Sequence, residues 1–206
     1  MMRSDLAQPV VGPLVPGSLQ DQVLDLAATG RAGLSELLGD AAARHALFRR
    51  GMRADRFLVA TVGGELAGYL SLKYAGRGPF APSLGDFLRC YGVARGVHAC
   101  AVFRVIEARS RPRPGGAYIY GIDVLKPWRG HRRGRDVGGA LIEAAVAAMA
   151  RLGLRTLDME VRRPAARALA LRMGAVPLSA RRLSFTGLLI ASAGEYQRLT
   201  IGIPRA

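Results

Sequence analysis

The sequence predicts an α/β protein built on a mixed sheet, and three observations carry that expectation. An apolar strand, Tyr118-Ile-Tyr-Gly-Ile-Asp-Val124, runs through an arginine- and glycine-bearing loop, Arg132-Arg-Gly-Arg-Asp-Val-Gly-Gly139, into a helical run ending near Met149. From Tyr118 onward, strand and helix patterns alternate, and a crossover of that length requires the strands at Tyr118 and Leu154 to be parallel. Two β-prone runs, Phe57 to Val62 and Leu66 to Tyr74, flank Gly63-Gly64, a dipeptide suited to the positive dihedrals of a tight hairpin.

The remaining elements follow in order. After an extended start (Gln8 to Val15), helices are expected over Ser18 to Ala28, with Gly30 as a stop, and over Leu34 to Arg50, from the helical spacing of Leu19, Val23 and Leu26 and of Leu34, Leu37, Leu38, Ala41 and Phe48. The hairpin comes next. Gly76-Arg-Gly-Pro-Phe-Ala-Pro82 then breaks the chain, Ser83 is placed to cap a helix with Leu84, Phe87, Leu88 and Tyr91 on its apolar side, and a second helix is expected over Val97 to Arg109. Ser110 to Gly116 reads as a proline-glycine linker. Beyond the strand at Tyr118, a helix over Gly138 to Leu152 presents Leu141, Ala145, Ala148, Met149 and Leu152 on one side. Leu154 to Val161 reads as a strand, Pro164 to Met173 as a helix opened by proline, and Val176 to Ile190 and Tyr196 to Ile203 as the last strands.

A chain of 206 residues is long enough to bury a core without disulfides or metals, and one domain over 1–206 is expected. Cys90 and Cys100 are its two cysteines and neither sits in a metal-ligand pattern, so a reduced compartment fits and a structural zinc does not. His45 and His98 likewise lack ligand partners at a useful spacing, and no metal is expected; His131, beside the cationic loop, reads as an exposed loop histidine or as a contact to an adenine or phosphate. Met1 to Gly17 has no apolar core of the signal-peptide kind and no later run is long enough to cross a bilayer, so the expected location is the cytoplasm, away from the membrane.

The net charge of +15 is carried almost wholly by arginine, lysine occurring at Lys73 and Lys126. It is unevenly placed: residues 1–74 carry +1, 75–114 carry +5 and 115–206 carry +9. The excess lies in the half that holds the glycine-bearing loop. A turn joining a strand to a helix start aims backbone N–H groups and the positive end of the helix dipole at one point, which favours a phosphate there. Arg129, Arg132, Arg133 and Arg135 crowd the same turn, so charge and main-chain geometry ask for the same ligand. Without an aromatic platform or a recognition-helix motif, nucleic acid is not the expected partner.

At these residues the sequence resembles the GNAT superfamily of acetyl-CoA-dependent N-acetyltransferases, whose pyrophosphate loop reads Arg/Gln-x-x-Gly-x-Gly/Ala between the fourth strand and third helix. Arg133-Gly-Arg-Asp136-Val-Gly138 fills those slots with Asp136 at the first glycine, and an insertion after Val124 is then required. A register from Arg129 puts Arg132 in that slot instead. The weaker Gly64-Glu-Leu-Ala-Gly68-Tyr69 segment resembles the family's second and third strands. The resemblance covers roughly residues 56 to 202 and implies a GNAT-like acyl-CoA N-acyltransferase fold in which 75–116 is a helical insertion between the third and fourth strands. That insertion covers the protein's own surface, an acceptor pocket, or a second copy in a homodimer.

The resemblance further implies acetyl-CoA as co-substrate, a small amine as acceptor, and a thioester held between splayed parallel strands, here Ile119 to Leu125 and Leu157 to Val161. Val124 or Leu125 would then supply an N–H to the oxyanion, an interaction commonly worth about 3 kcal/mol in acyl transfer. The diphosphate would lie against Arg133, Gly134, Arg135, Asp136, Val137, Gly138 and Gly139. Asp123, at the end of an apolar strand in a Gly-Ile-Asp context similar to that of some aminoglycoside acetyltransferases, is the first candidate general base, and Glu160 the second, ahead of Asp158. Such a base contributes roughly 10²- to 10⁴-fold. The family's later motif, Asn-x-x-Ala-x-x-x-Tyr-x-x-x-Gly-Phe, aligns with Arg163, Ala170 and Ala175 at its Asn, Tyr and Phe. The thiolate-protonating tyrosine is therefore replaced, leaving water or Tyr91, Tyr118, Tyr120 or Tyr196 for that step, while Arg163 is free to contact a cofactor phosphate. Trp128 is read either as a stacking partner for adenine or as an apolar anchor of the loop. The leading expectation is a small-molecule N-acetyltransferase, the alternative a non-catalytic acyl-CoA-binding regulator, and the third a basic nucleic-acid binder. The net charge favours an acidic, neutral or carrier-bound acceptor over a polycation.

Overall fold

The computed structural model describes residues 8–30, 34–130, 136–179, 182–183 and 195–204. The chain opens with β1 (Val10–Pro13) and α1 (Ser18–Gly30), followed by α2 (Ser35–Leu38) and α3 (Ala41–Gly51). The single helix expected over Leu34 to Arg50 is thus divided. Gly39 takes a φ of 77°, and the Asp40 side chain accepts the N–H of Ala43 to start a new helix. The hairpin of β2 (Phe57–Val62) and β3 (Glu65–Lys73) forms as expected, Gly63 and Gly64 turning at φ of 60° and 84°.

Between β3 and β4 (Gly116–Val124) stand α4 (Leu84–Tyr91) and α5 (Val93–Arg109). Ser83 and Asp86 form a reciprocal capping box at the start of α4. The second helix begins at Val93 rather than Val97, because the chain turns at Gly92 with a φ of 74° and re-enters a helix directly. Next come α6 (Val137–Arg151), β5 (Thr156–Val161), α7 (Pro164–Arg172), β6 (Val176–Pro177), β7 (Arg182–Leu183) and β8 (Glu195–Gly202). Of the long strand expected over Val176 to Ile190 the described residues show β6 and β7, with Leu178 N–H still donating to the Arg198 carbonyl at 2.9 Å beyond Pro177; 180–181 and 184–190 lie outside the described residues.

The strands form one sheet in the order β1-β2-β3-β4-β5-β8-β6, with β7 also paired to β8. All described pairs are antiparallel except β4 with β5, as the crossover through α6 requires. Strand alternation separates two apolar layers. On one face Leu70, Leu72, Ile119, Leu157 and Met159 pack under Leu141, Ile142, Ala145 and Met149 of α6. On the other, Phe57, Val59 and Tyr69 meet Val23, Leu24 and Ala27 of α1, Phe48 of α3, Phe87 of α4 and Phe103 of α5. The tract between β3 and β4 therefore covers the protein's own sheet. Phe48 and Phe80 stack at 4.4 Å between ring centres, and Phe87 meets Phe103 at 5.6 Å. Among the described residues no helix is long and apolar enough to cross a membrane.

One buried charge ties the far end of this tract to the sheet. Asp158, 0% exposed on β5, takes Arg113 at 2.9 Å and Arg198 of β8 at 3.2 Å. Arg113 also donates to Thr200 Oγ1 at 2.6 Å, and Arg198 to the carbonyl of Arg111. Both arginines keep part of their side chains in water, so they can be rehydrated if the carboxylate is lost. Asp158→Ala is expected to lower unfolding free energy by about 2 kcal/mol, below the full cost of stranding a buried charge. Urea unfolding followed by circular dichroism measures it.

Candidate functional site

The site begins where a ladder ends. β4 and β5 pair in parallel through Gly116–Thr156, Ala117–Leu157, Tyr118–Asp158 and Ile119–Met159, and there the pairing stops. Beyond it β4 continues to Val124 on β3, while β5 continues to Val161 on β8. The two strands thus part like the arms of a V. A cleft of about 650 Å³ opens between them and passes through the sheet, lined by Tyr118, Ile122 and Asp123 on one arm and Glu160 and Val161 on the other. Its wall continues along Ile142, Ala166 and Leu169 on the α6–α7 side and along Gly30, Leu34 and Ile106 on the α1–α5 side.

A β-bulge decides which side chains enter it. Ser71 pairs with Gly121 but Leu72 pairs with Ile119, so Tyr120 is an extra residue in β4. Simple alternation from Tyr118 would send Ile122 to the α1 face and Asp123 to the opposite one. The bulge reverses this: Ile122 and Val124 pack in the α6 layer, and Asp123 stands opposite Tyr69 on the α1 side. Across the gap, Glu160 lies on the same face as Asp158, which pairs with Tyr118. The bulge therefore brings both carboxylates singled out in the sequence to one face of the cleft.

Their surroundings differ. Asp123 Oδ1 accepts its neighbour's Val124 N–H at 2.9 Å and pairs with Arg129 Nη2 at 3.2 Å. Arg129 Nε donates to the Val124 carbonyl at 2.6 Å. Glu160 is desolvated, and this burial pushes its carboxyl above the ordinary glutamate value against the opposing pull of Arg162 and Arg198. Burial, followed by the charge of Glu160, pushes the Tyr118 phenol above its own ordinary value. Asp158 is committed to Arg113 and Arg198 and does not face the cleft as a base.

The two main-chain donors proposed from sequence are also engaged. Leu125 N–H donates to the carbonyl of Ala67 at 2.8 Å, within the edge of the β3 ladder, so Leu125 is not the cleft donor. Alternation along that ladder then turns the main-chain groups of Val124 and Ile122 towards the cleft. Val124 N–H holds the Asp123 carboxylate, which leaves Ile122 N–H as the further donor on that side.

At the mouth on the α6 side, Asp136 caps α6, its Oδ1 accepting Gly139 N–H at 2.9 Å, and its Oδ2 lies 2.6 Å from Arg172 of α7. Val137 and Gly138 occupy the first helical turn, where N–H groups have no intrahelical acceptor. A Cβ on Gly138 would come within 2.8 Å of Leu169 Cδ2, and one on Gly139 within 2.7 Å of Asp136 Oδ2. The glycines thus let α7 and the capping carboxylate approach the helix start. Arg133, Gly134 and Arg135 lie outside the described residues, as do His131 and Arg132. Arg163 lines the cleft at the start of α7. Trp128 packs against the α6 layer. Ala170 is buried and lines the cleft with no phenol of its own. Of the four tyrosines considered, Tyr118 and Tyr120 line the cleft, while Tyr91 donates to the Leu38 carbonyl at 2.9 Å. Among the described residues no group of three His, Cys, Asp or Glu side chains is placed to hold a metal ion.

Sequence reasoning missed Arg172, Arg129 as the partner of Asp123, and the contribution of Ile106 and Ser110 to the wall. Arg172 lies far from Asp136 along the chain, and no periodicity marks such a pair. The six-residue spacing from Asp123 to Arg129 crosses the 3-10 turn Lys126–Trp128, whose folding-back is not written in either residue type.

No protein-family model and no curated protein sequence matches this chain. Solved structures do. An agmatine N-acetyltransferase in its apo form superposes with a TM-score of 0.60 at 16% identity, over 95% of this chain and 100% of that one. An arylalkylamine N-acetyltransferase of the yellow fever mosquito gives 0.58 at 14% identity, over 95% and 88%. The ribosomal-protein-S18-alanine N-acetyltransferase of Escherichia coli gives 0.51 at 16% identity, over 97% and 96%.

Gly139→Ala should displace the Asp136 carboxylate and release the cap. The expected loss is about 1 kcal/mol of stability, readable in a thermal melt. Asp136→Ala should lose a similar amount, and the double variant little more than either alone, because both remove one interaction.

Proposed function

We propose that this chain, whose fold is that of the GNAT acyltransferases, is an N-acetyltransferase that moves an acetyl group from acetyl-CoA to the amine of a small molecule. The observation that carries the proposal is the parted β4–β5 pair beside the start of α6, with one carboxylate on each arm of the opening. The likeness to solved N-acetyltransferases, all at low identity, supports the fold on which this reading stands.

In this reading the diphosphate of coenzyme A rests at the first turn of α6, on the N–H groups of Val137 and Gly138 and the helix dipole, with Gly139 admitting the cap. Arg133 and Arg135, just ahead of α6 in the sequence, and Arg163 of α7 supply cationic contacts, and Gly134 a main-chain one. The pantetheine arm enters the V between α6 and α7, and main-chain groups of Val124 and Ile122 face it. The acceptor approaches from the α1–α5 side.

Glu160 takes the proton of the substrate ammonium, directly or through a water, because its desolvated carboxyl is more basic than an ordinary glutamate. The neutral amine nitrogen then attacks the thioester carbonyl, and the N–H of Ile122 stabilises the oxyanion. The C–S bond breaks as the C=O re-forms, giving the amide and a thiolate. A coenzyme thiol has a pKa near 8.5, so water suffices to protonate it. Tyr118, pushed above its ordinary value, is a weaker acid than that thiol and serves better as a hydrogen-bond donor than as a proton source. Asp123, bound to Arg129 and Val124 N–H, orients the end of β4, and its part as base comes second. The expected compartment remains the cytoplasm.

A second reading, a non-catalytic binder of acyl-CoA, is favoured by Asp136 in the anion cradle and by Ala170 where the family pattern has its tyrosine. Thiol release decides between the two.

Glu160→Gln is expected to lower kcat/KM by roughly 10²-fold while leaving acetyl-CoA binding unchanged by calorimetry, with Asp123→Asn affecting kcat less. For the sign of the pH dependence, Glu160 must be ionised to accept a proton. Activity should therefore rise with pH through a limb lying above the ordinary glutamate range, and that limb should vanish in Glu160→Gln. Absence of acetyl-CoA binding by the wild-type protein contradicts both readings; binding without thiol release over an amine panel selects the second.

A further inference from the structure

The half of the cleft that would receive the acceptor is partly open, carries three tyrosines in its lining, and draws its walls from distant parts of the chain. Tyr69 of β3, Tyr118 and Tyr120 of β4, Ile106 of α5 and Leu34 all line it. Tyr69 and Tyr118 are nearly fully buried, so their rings are fixed by packing rather than by a ligand. α5 is itself pinned: Lys73 Nζ, inside the sheet, reaches Glu107 Oε2 at 2.8 Å and the Glu107 carbonyl at 2.6 Å. The segment after it is held by the Arg113–Asp158 pair. The wall is thus built before any acceptor arrives, which favours a ligand that fits an existing shape.

The charges set a second limit. Asp123 is already engaged by Arg129, which leaves Glu160 to meet an incoming ammonium. Arg162 and Arg163 border the same cleft. A second positive charge on the acceptor would find these guanidinium groups and, beyond Glu160, a carboxylate already paired with Arg129. Gly30, Leu34, Ile106 and Ser110 border the same cleft.

We infer that the acceptor is a small monoamine with an apolar, ring-sized body, its single ammonium at Glu160 and its body against Tyr69, Tyr120 and Ile106, and that α5 sets the length of body accepted. This rests on the acetyltransferase reading and narrows it away from acidic or carrier-bound acceptors. Tyr120, the half-buried tyrosine of the three, can meet a flat ring by stacking or edge contact, and the apolar side chains of Leu34 and Ile106 add area without asking for a polar partner.

The test compares acetyl transfer from acetyl-CoA to phenethylamine, spermidine, glutamate and a short peptide with a free amino terminus, following thiol release, with acetyl-CoA binding measured in parallel. Phenethylamine is expected to exceed each of the others in kcat/KM by at least about tenfold. Ile106→Trp, which fills the wall, should lower kcat/KM for phenethylamine by about tenfold with acetyl-CoA affinity retained. Ile106→Ala, which empties it, should shift the preference towards bulkier arylalkylamines, and serves if the larger residue disturbs folding. Equal or better use of spermidine, glutamate or the peptide overturns the inference while leaving the acetyltransferase reading in place, as does an unchanged preference in both Ile106 variants. Failure of the wild-type protein to bind acetyl-CoA overturns both.

Discussion

The parting of β4 from β5 after the Ile119–Met159 pair is the constraint on which the site depends. Two parallel strands in a buried sheet normally satisfy one another's main-chain groups along their whole length. Here each arm turns to its other neighbour, β3 or β8, and the sheet opens without losing its outer ladders. The extra residue in β4, Tyr120, is the local cause of the changed side-chain order. Without that bulge Asp123 would point into the α6 layer, beside Ile119, Leu141 and Ile142. With it, two acidic side chains share a face with three tyrosines, and the apolar Ile122 and Val124 complete the opposite layer.

Charge is arranged in opposition around the opening. Asp123 faces Arg129, Asp136 faces Arg172, and Asp158 faces Arg113 and Arg198. Glu160 is the carboxylate whose surroundings act chiefly through desolvation, and its proton affinity rises accordingly. Groups with such displaced affinities concentrate at sites of proton transfer. Asp158, more buried still, is held in a network of arginines that fastens the end of the α4–α5 tract to β5 and β8. Two acidic residues on one strand, two positions apart, thus have different work because one meets guanidinium groups and the other meets a cleft.

Much of the fold was legible because it is written in local chemistry. The Gly63-Gly64 turn, the Ser83 cap, the proline opening α7 and the parallel relation of β4 and β5 all follow from patterns a few residues long or from the length of a crossover. The break between α2 and α3 was missed because Leu34 to Phe48 keeps a helical apolar spacing through Gly39, and only the cap at Asp40 shows that two helices share it. The site was legible in its residue types and less so in its contacts. Asp123 and Glu160 were singled out, and the structure puts both on the cleft. Leu125 was given a donor role that the β3 ladder takes from it, because which N–H faces outward depends on a register set by a bulge. The wall built by Ile106 and Tyr69 could not be read at all, since it exists only when residues tens of positions apart are folded together.

The most direct test of the central claim is a crystal structure of the protein with acetyl-CoA. The expected result is a thioester lying between β4 and β5 beyond Ile119 and Met159, its carbonyl towards the main chain of Ile122 and Val124, and a diphosphate at the N–H groups of Val137 and Gly138. A diphosphate bound away from the start of α6, or strands closed into a continuous ladder beside a cofactor lying elsewhere, would contradict it.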